Sequence, residues 1–149
     1  KYKQTFKTTK DPQVRTKMLA AMGYFGKPEL QNAVLEYSLT DNVTASDMRT
    51  LLGGLGYGKE REALFIEWIY NNYDAITKNL PPFFVPNLPF FTTASCDAKS
   101  LEKTKTFFND KITEVPGYAR SLSKLEESIN DCIALKNREL NSVNSFLKR

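Results

Sequence analysis

The 149 residues suffice for one domain that buries about 70% of the surface its unfolded chain exposes, and 41% hydrophobic with 26% charged residues is neither a disordered nor a fibrous composition. No apolar run approaches the ~18 residues of a membrane span. Histidine is absent, which excludes a Ser-His-Asp triad, a histidine general base and an H-E-x-x-H zinc site within these residues.

The formal net charge of +4 gathers partly at the start, where Lys1, Lys3, Lys7, Lys10, Arg15 and Lys17 stand against Asp11. This reads as a solvated basic face, since aromatics are not interleaved with the cations as a nucleic-acid stacking platform requires. The opening "KYKQTFKTTK" has neither the apolar stretch nor the cleavage site of a signal peptide. No Met leads it and a helix follows almost at once, so a chain cut from a longer protein is expected.

"DPQVRTKMLAAMGYF" begins a helix with Asp11 as N-cap and Pro12 at the first helical position, and Gly26 is expected to end it. "KPELQNAVLEYSL" follows, with Pro28 in its first turn and an apolar stripe of Leu30, Val34, Leu35 and Leu39. Thr44 and Asp47 have the spacing of a capping box, ahead of a face made by Met48, Leu51, Leu52 and Leu55.

"LLGGLGYGKE" then imitates a phosphate-cradling loop, with Gly53, four residues and Gly58-Lys59, but Glu60 replaces the hydroxyl that would hold magnesium. A helix precedes it where such a loop needs a strand. "MLAAMGY" at 18–24 matches "LLGGLGY" at 51–57 in residue class, Ala20-Ala21 standing for Gly53-Gly54. A repeat with small residues on one helix face marks stacked helical hairpins. The stretch is therefore read as close helix packing, with Gly56 and Gly58 at a C-cap and turn.

"REALFIEWIYNNYDAITKNL" predicts one long helix that buries Phe65, Ile69, Tyr73, Ile76 and Leu80, broadened by Leu64 and Trp68, with Glu67, Asn71, Asp74 and Lys78 opposite. Pro81-Pro82 stops it. "PPFFVPNLPFFTTAS" is expected to pack beneath other elements as a short helix or turn, because contiguous exposed apolar patches are uncommon. Asp97 or Ser95 caps the next helix, with Leu101, Thr104, Phe108 and Ile112 on one face, and "TEVPGY" is a turn. In the last segment Leu122, Leu125, Ile129, Cys132, Lys136, Leu140, Val143 and Leu147 recur at heptad-like spacing. Ser123 with Glu126 makes a capping box, and Asn137 is expected to re-cap a terminal helix. Cys96 and Cys132, two cysteines without metal-ligand spacing, predict free thiols in a reducing compartment. No convincing strand is present, so the fold class is all-α without a sheet.

The order of "DPQVRTKMLAAMGY", "NVTASDMRTLLGGLG", "ALFIEWIYNNYDAI", "TTASCDAKSLEKTKTFFNDK" and "ARSLSKLEESINDCIALKNRELNSVNSFLKR" resembles the C-terminal helical domain of the gluzincin zinc aminopeptidases, of the puromycin-sensitive and alanine/arginine type. The markers are Trp68, Asn72, Tyr73 and Asp74 in a W-x-x-x-N-[WYF]-D-like helix, the pair Phe107-Phe108, and Arg120 leading the last helix. Of the family's V-R-x-Q-D only Val43 and Asp47 match, with Thr44 and Ser46 in place of Arg and Gln.

The resemblance implies an α-solenoid of HEAT-like antiparallel helix pairs. It makes residues 1–149 a single helical domain, a fragment of the C-terminal domain of a longer enzyme. The implied role is non-catalytic: to close over the catalytic domain and line the peptide cavity of an enzyme that removes N-terminal amino acids. Zinc belongs to that parent, and no metal or cofactor is expected in this chain. Arg120, and less so Arg49, are the candidates for a cavity wall or interdomain contact; a structural ion pair with neighbouring acids is the competing role. The expected partners are the catalytic domain and the peptide, with no nucleic acid and no membrane, in the cytoplasm. A stand-alone helical adaptor that binds a protein or peptide is the alternative function, and a nucleic-acid-binding module ranks behind it.

Overall fold

The computed structural model describes residues 2–55, 59–93 and 96–148, with side chains at all of these except 52–55 and 59–61. It divides into two compact units, Lys1–Val85 and Pro86–Arg149. Every regular element among the described residues is helical.

The first unit holds α1 (Tyr2–Thr8), α2 (Pro12–Gly23), α3 (Pro28–Ser38), α4 (Ala45–Leu55), α5 (Lys59–Asn71) and α6 (Tyr73–Asn79). Helix starts follow the predicted caps. Asp11 accepts from the amides of Gln13 and Val14 at 2.8 and 3.3 Å, with Pro12 in the first turn. Thr44 and Asp47 form the reciprocal capping box: the Asp47 amide donates to the Thr44 hydroxyl oxygen at 3.2 Å, and the Thr44 amide to Asp47 Oδ2 at 3.0 Å. Helix α2 meets α1, α3 and α4, while α3 also meets α4 and α5. The repeated segments at 18–24 and 51–57 thus begin on two helices in contact. Gly53 lies within α4, so the first part of the phosphate-loop pattern is helical. The C-cap assigned to Gly56 and Gly58, and the packing assigned to Gly53 and Gly54, lie outside the described residues and side chains.

Three expectations for this unit are corrected. Helix α2 stops at Gly23, three residues before Gly26, where the Tyr24 amide turns back to the Ala21 carbonyl at 3.3 Å. Leu30 is 46% exposed, because α3 buries the face of Gln31, Val34, Leu35 and Ser38 instead. The long helix is two helices, broken at Asn72, whose backbone leaves helical geometry at φ −119° and ψ 20° while its side-chain amide donates to the Trp68 carbonyl at 2.9 Å. The face itself is as predicted: Phe65, Ile69, Tyr73, Ile76 and Leu80 are buried, and Glu67, Asn71, Asp74 and Lys78 are exposed. Trp68 is only half-buried, stacked on Phe65 with ring centroids 6.2 Å apart.

A 3₁₀ helix, Val85–Phe91, follows. The Pro- and Phe-rich stretch is split between interior and surface: Val85, Leu88 and Thr92 are buried, while Phe83 is 72% and Phe90 41% exposed. In the second unit α7 (Ala98–Asn109) begins at Asp97, whose carboxylate accepts from the Lys99 amide at 2.9 Å; Ser95, the alternative cap, lies outside the described residues. Leu101, Thr104 and Phe108 are buried as predicted, whereas Ile112 falls past the helix end. The Thr104 hydroxyl donates to the Thr92 carbonyl at 2.8 Å, which removes the cost of burying it.

The last helix, α8 (Tyr118–Leu147), is continuous for 30 residues. Ser123 with Glu126 is not its cap, because the chain enters the helix earlier, from Gly117, where a side chain would run into the Pro86 ring at 2.5 Å. Asn137 does not restart it, since asparagine in an exposed helix interior costs only about 0.7 kcal/mol. Helices α7 and α8 are antiparallel. Phe108 meets Tyr118 at 4.9 Å, Lys105 pairs with Glu126 at 2.8 Å, and Leu101 clusters with Leu125, Ile129 and Ile133. The same nesting joins Cys96 and Cys132 in a disulfide, their Cα atoms 5.1 Å apart. This corrects the expectation of free thiols: their 36-residue separation says nothing of proximity until the hairpin brings the start of α7 beside the fifth turn of α8.

Candidate functional site

Partly buried charge in the first unit gathers where α1, α2, α3 and the start of α4 come together. Arg15 of α2 donates from Nη2 to Asp47 Oδ2 at 2.6 Å and from Nη1 to the Phe6 carbonyl at 3.4 Å, with its guanidinium 3.9 Å from the centre of the Phe6 ring. The Thr44 hydroxyl donates to the same Asp47 oxygen at 2.8 Å. Lys3 of α1 donates to the Ala33 carbonyl at 2.9 Å with its Nζ 4.7 Å from the centre of the Tyr37 ring, and Lys7 reaches that ring at 6.0 Å. Phe6 and Tyr37 meet edge to face at 6.3 Å. Part of the early basic excess is therefore spent on aromatic faces of the chain's own core.

Burial by itself raises the Asp47 carboxyl, but the hydrogen bonds from Arg15 and Thr44 and the charge of Arg15 outweigh it, so the group sits below the usual aspartate value. Burial likewise pushes the Tyr37 phenol up, against the pull of Arg15 and with the push of Asp47. The buried Tyr37 hydroxyl has no hydrogen-bond partner among the described residues. With a depressed folded pKa, Asp47 stabilises the fold fully above its ordinary value and loses that contribution as the pH falls through the folded one. Asp47→Ala is expected to cost about 2–3 kcal/mol at neutral pH through the lost cap and charge-assisted bonds. Urea titrations of the two proteins should converge once the pH is below the point where Asp47 is protonated. A gap that persists there would assign the loss to packing.

Beside this cluster, a surface cavity of about 360 Å3 is lined by Tyr2, Met22, Phe25, Leu30 and Val34 among others, with Lys3 as its cation. It has room for a small apolar group. The two predicted site residues lie elsewhere: Arg49 is exposed on α4 in the first unit, and Arg120 is exposed in the first turn of α8 in the second. Among the described residues no group of three or more His, Cys, Asp or Glu could hold a metal ion, and no helix is long and apolar enough to cross a membrane.

The Arg15–Asp47 tie escaped the sequence reading, although a signal was present. The offset that lays 18–24 on 51–57 also lays Arg15 on Met48, one residue from Asp47. Two helices related by such a repeat and packed together bring these residues to one level.

These contacts define a helical scaffold tied together by caps, cation–aromatic stacks and one crosslink. The chain belongs to the ERAP1-like C-terminal domain family, whose model matches residues 1–131. It is also similar to aminopeptidase 2, mitochondrial, of Saccharomyces cerevisiae, at 26% identity over 153 residues that cover 99% of this chain and 16% of that protein. The chain thus spans about a sixth of the relative it matches.

Proposed function

We propose that these residues are part of the C-terminal domain of a zinc aminopeptidase, serving as non-catalytic lid and cavity wall for the domain that carries the metal. The observation that carries this reading is the family match over residues 1–131 together with likeness to an aminopeptidase along almost the whole chain. The zinc chemistry does not fit this chain: it has no histidine, and no carboxylate or thiol cluster among the described residues replaces one. Contact of α2 with α4 and of α3 with α5 supports a HEAT-like solenoid. The exposed guanidinium of Arg120, and that of Arg49 after it, would hold the far carboxylate of a peptide whose amino end lies at the metal. The cytoplasmic location expected from the sequence rested on free thiols. The Cys96–Cys132 disulfide removes that ground and favours an oxidising compartment.

The test is complementation. Added to the separately expressed remainder of its parent enzyme, this chain is expected to restore or raise peptidase turnover while showing none alone. Within the full-length enzyme, Arg120→Ala should raise KM for long peptides several-fold more than for a single-residue chromogenic substrate, with kcat little changed. Zinc-dependent turnover by the chain alone would overturn the reading. Tight binding of an unrelated peptide without complementation would instead favour the adaptor.

A further inference from the structure

Beyond Ile133, α8 has left the cover of α7, and Leu135, Leu140, Val143, Phe146 and Leu147 are between 47% and 73% exposed. A shallow groove of about 240 Å3 on this face is lined by Cys132, Leu135, Lys136, Glu139, Leu140 and Val143, with Cys96 from the loop before α7. Any helical stripe maps onto itself in position when the helix is reversed. What is informative here is the residue type. Reversal about the point between Asn137 and Arg138 lays Leu135 on Leu140, Cys132 on Val143 and Lys136 on Glu139, so that apolar meets apolar and base meets acid.

We propose that this face of α8 is a pairing surface for a second copy of the chain, antiparallel about a two-fold axis at Asn137–Arg138. The arrangement is isologous: each contact occurs twice, as Leu135 against Leu140 of the second copy and Leu140 against its Leu135. Parallel pairing is disfavoured because it would set Lys136 on Lys136 and Glu139 on Glu139. Glu139 already accepts from Arg138 of its own helix at 2.6 Å, but the two side chains are 48% and 72% exposed, and so open a neighbour pair gives way easily to Lys136 of the second copy. The pairing is independent of the aminopeptidase reading, since it uses only the face of one helix.

Sedimentation equilibrium of the 149-residue chain is expected to show a monomer–dimer equilibrium. Leu140→Lys should leave monomer with unchanged helix content, because Leu140 is half-exposed in the single chain. Lys136→Glu should weaken the dimer about tenfold by setting acid against acid, roughly 1.4 kcal/mol in all. Adding Glu139→Lys to it should restore the dimer, which unspecific clustering of apolar side chains would not do. A wild-type chain that stays monomeric, a dimer indifferent to Leu140→Lys, or a charge reversal without rescue each overturns the proposal. So does a monomer whose Leu140 face is covered only in a one-to-one complex with the rest of an aminopeptidase.

Discussion

Replacing Cys132 by Ser is expected to destabilise the chain by about 4 kcal/mol, since the crosslink closes a 36-residue loop whose freedom in the unfolded state it removes. Cys96→Ser should cost the same, because either substitution opens the same bond. The effect falls on the second unit, where α7 and α8 hold each other through a small cluster of Leu101, Leu125, Ile129 and Ile133. Far-UV ellipticity in a urea titration is the suitable signal, because Trp68, the single tryptophan, belongs to the first unit. Thiol titration of the unfolded, unreduced chain should find no free sulfhydryl. Two free thiols, or two variants as stable as the parent, would show the cysteines to be unjoined in solution. Unequal losses would mean that one cysteine also contributes by packing.

The starts of α2, α4 and α7 were legible because an N-cap is a local event, whereas the Ser123–Glu126 pair, with the same local spacing, lies inside α8. Asp11, Thr44, Asp47 and Asp97 each satisfy backbone amides two or three residues away, so spacing along the chain suffices to find them. Buried faces were legible where periodicity was strong, as from Phe65 to Leu80. Helix ends and interruptions were not, because they are decided by competition. The helix breaks at Asn72, whose backbone turns out of helical geometry, whereas Asn137, the same residue type, leaves α8 intact. Position alone does not tell these two apart. Leu30 was misplaced because α3 has two candidate faces, and packing chose the one carrying Gln31 and Ser38. The disulfide and the Arg15–Asp47 tie join residues 36 and 32 apart, and only the folded hairpins bring them together. The cation–aromatic cluster was not legible, because its members come from four segments that only the fold brings together.

Phe65→Ala is expected to cost about 3–5 kcal/mol and Trp68→Ala less than half of that, although tryptophan is the larger residue. Phe65 is 1% exposed on the face that α5 turns inward, so truncation leaves a cavity that the surrounding helices close only in part. Trp68 is half-buried, and what its ring contributes is the stack on Phe65, with the planes 19° apart, worth about 0.5–1.5 kcal/mol beyond the area it covers. The hydrogen bond from Asn72 goes to the Trp68 carbonyl, so truncating the indole leaves the break between α5 and α6 in place and isolates the stacking. Indole emission of the folded chain should accordingly be quenched by iodide in part, between a buried and a free tryptophan. If Trp68→Ala were the costlier substitution and its emission were shielded from iodide, α5 would present to the core the face centred on Trp68. The face that Phe65 and Ile69 share would then not be the inward one.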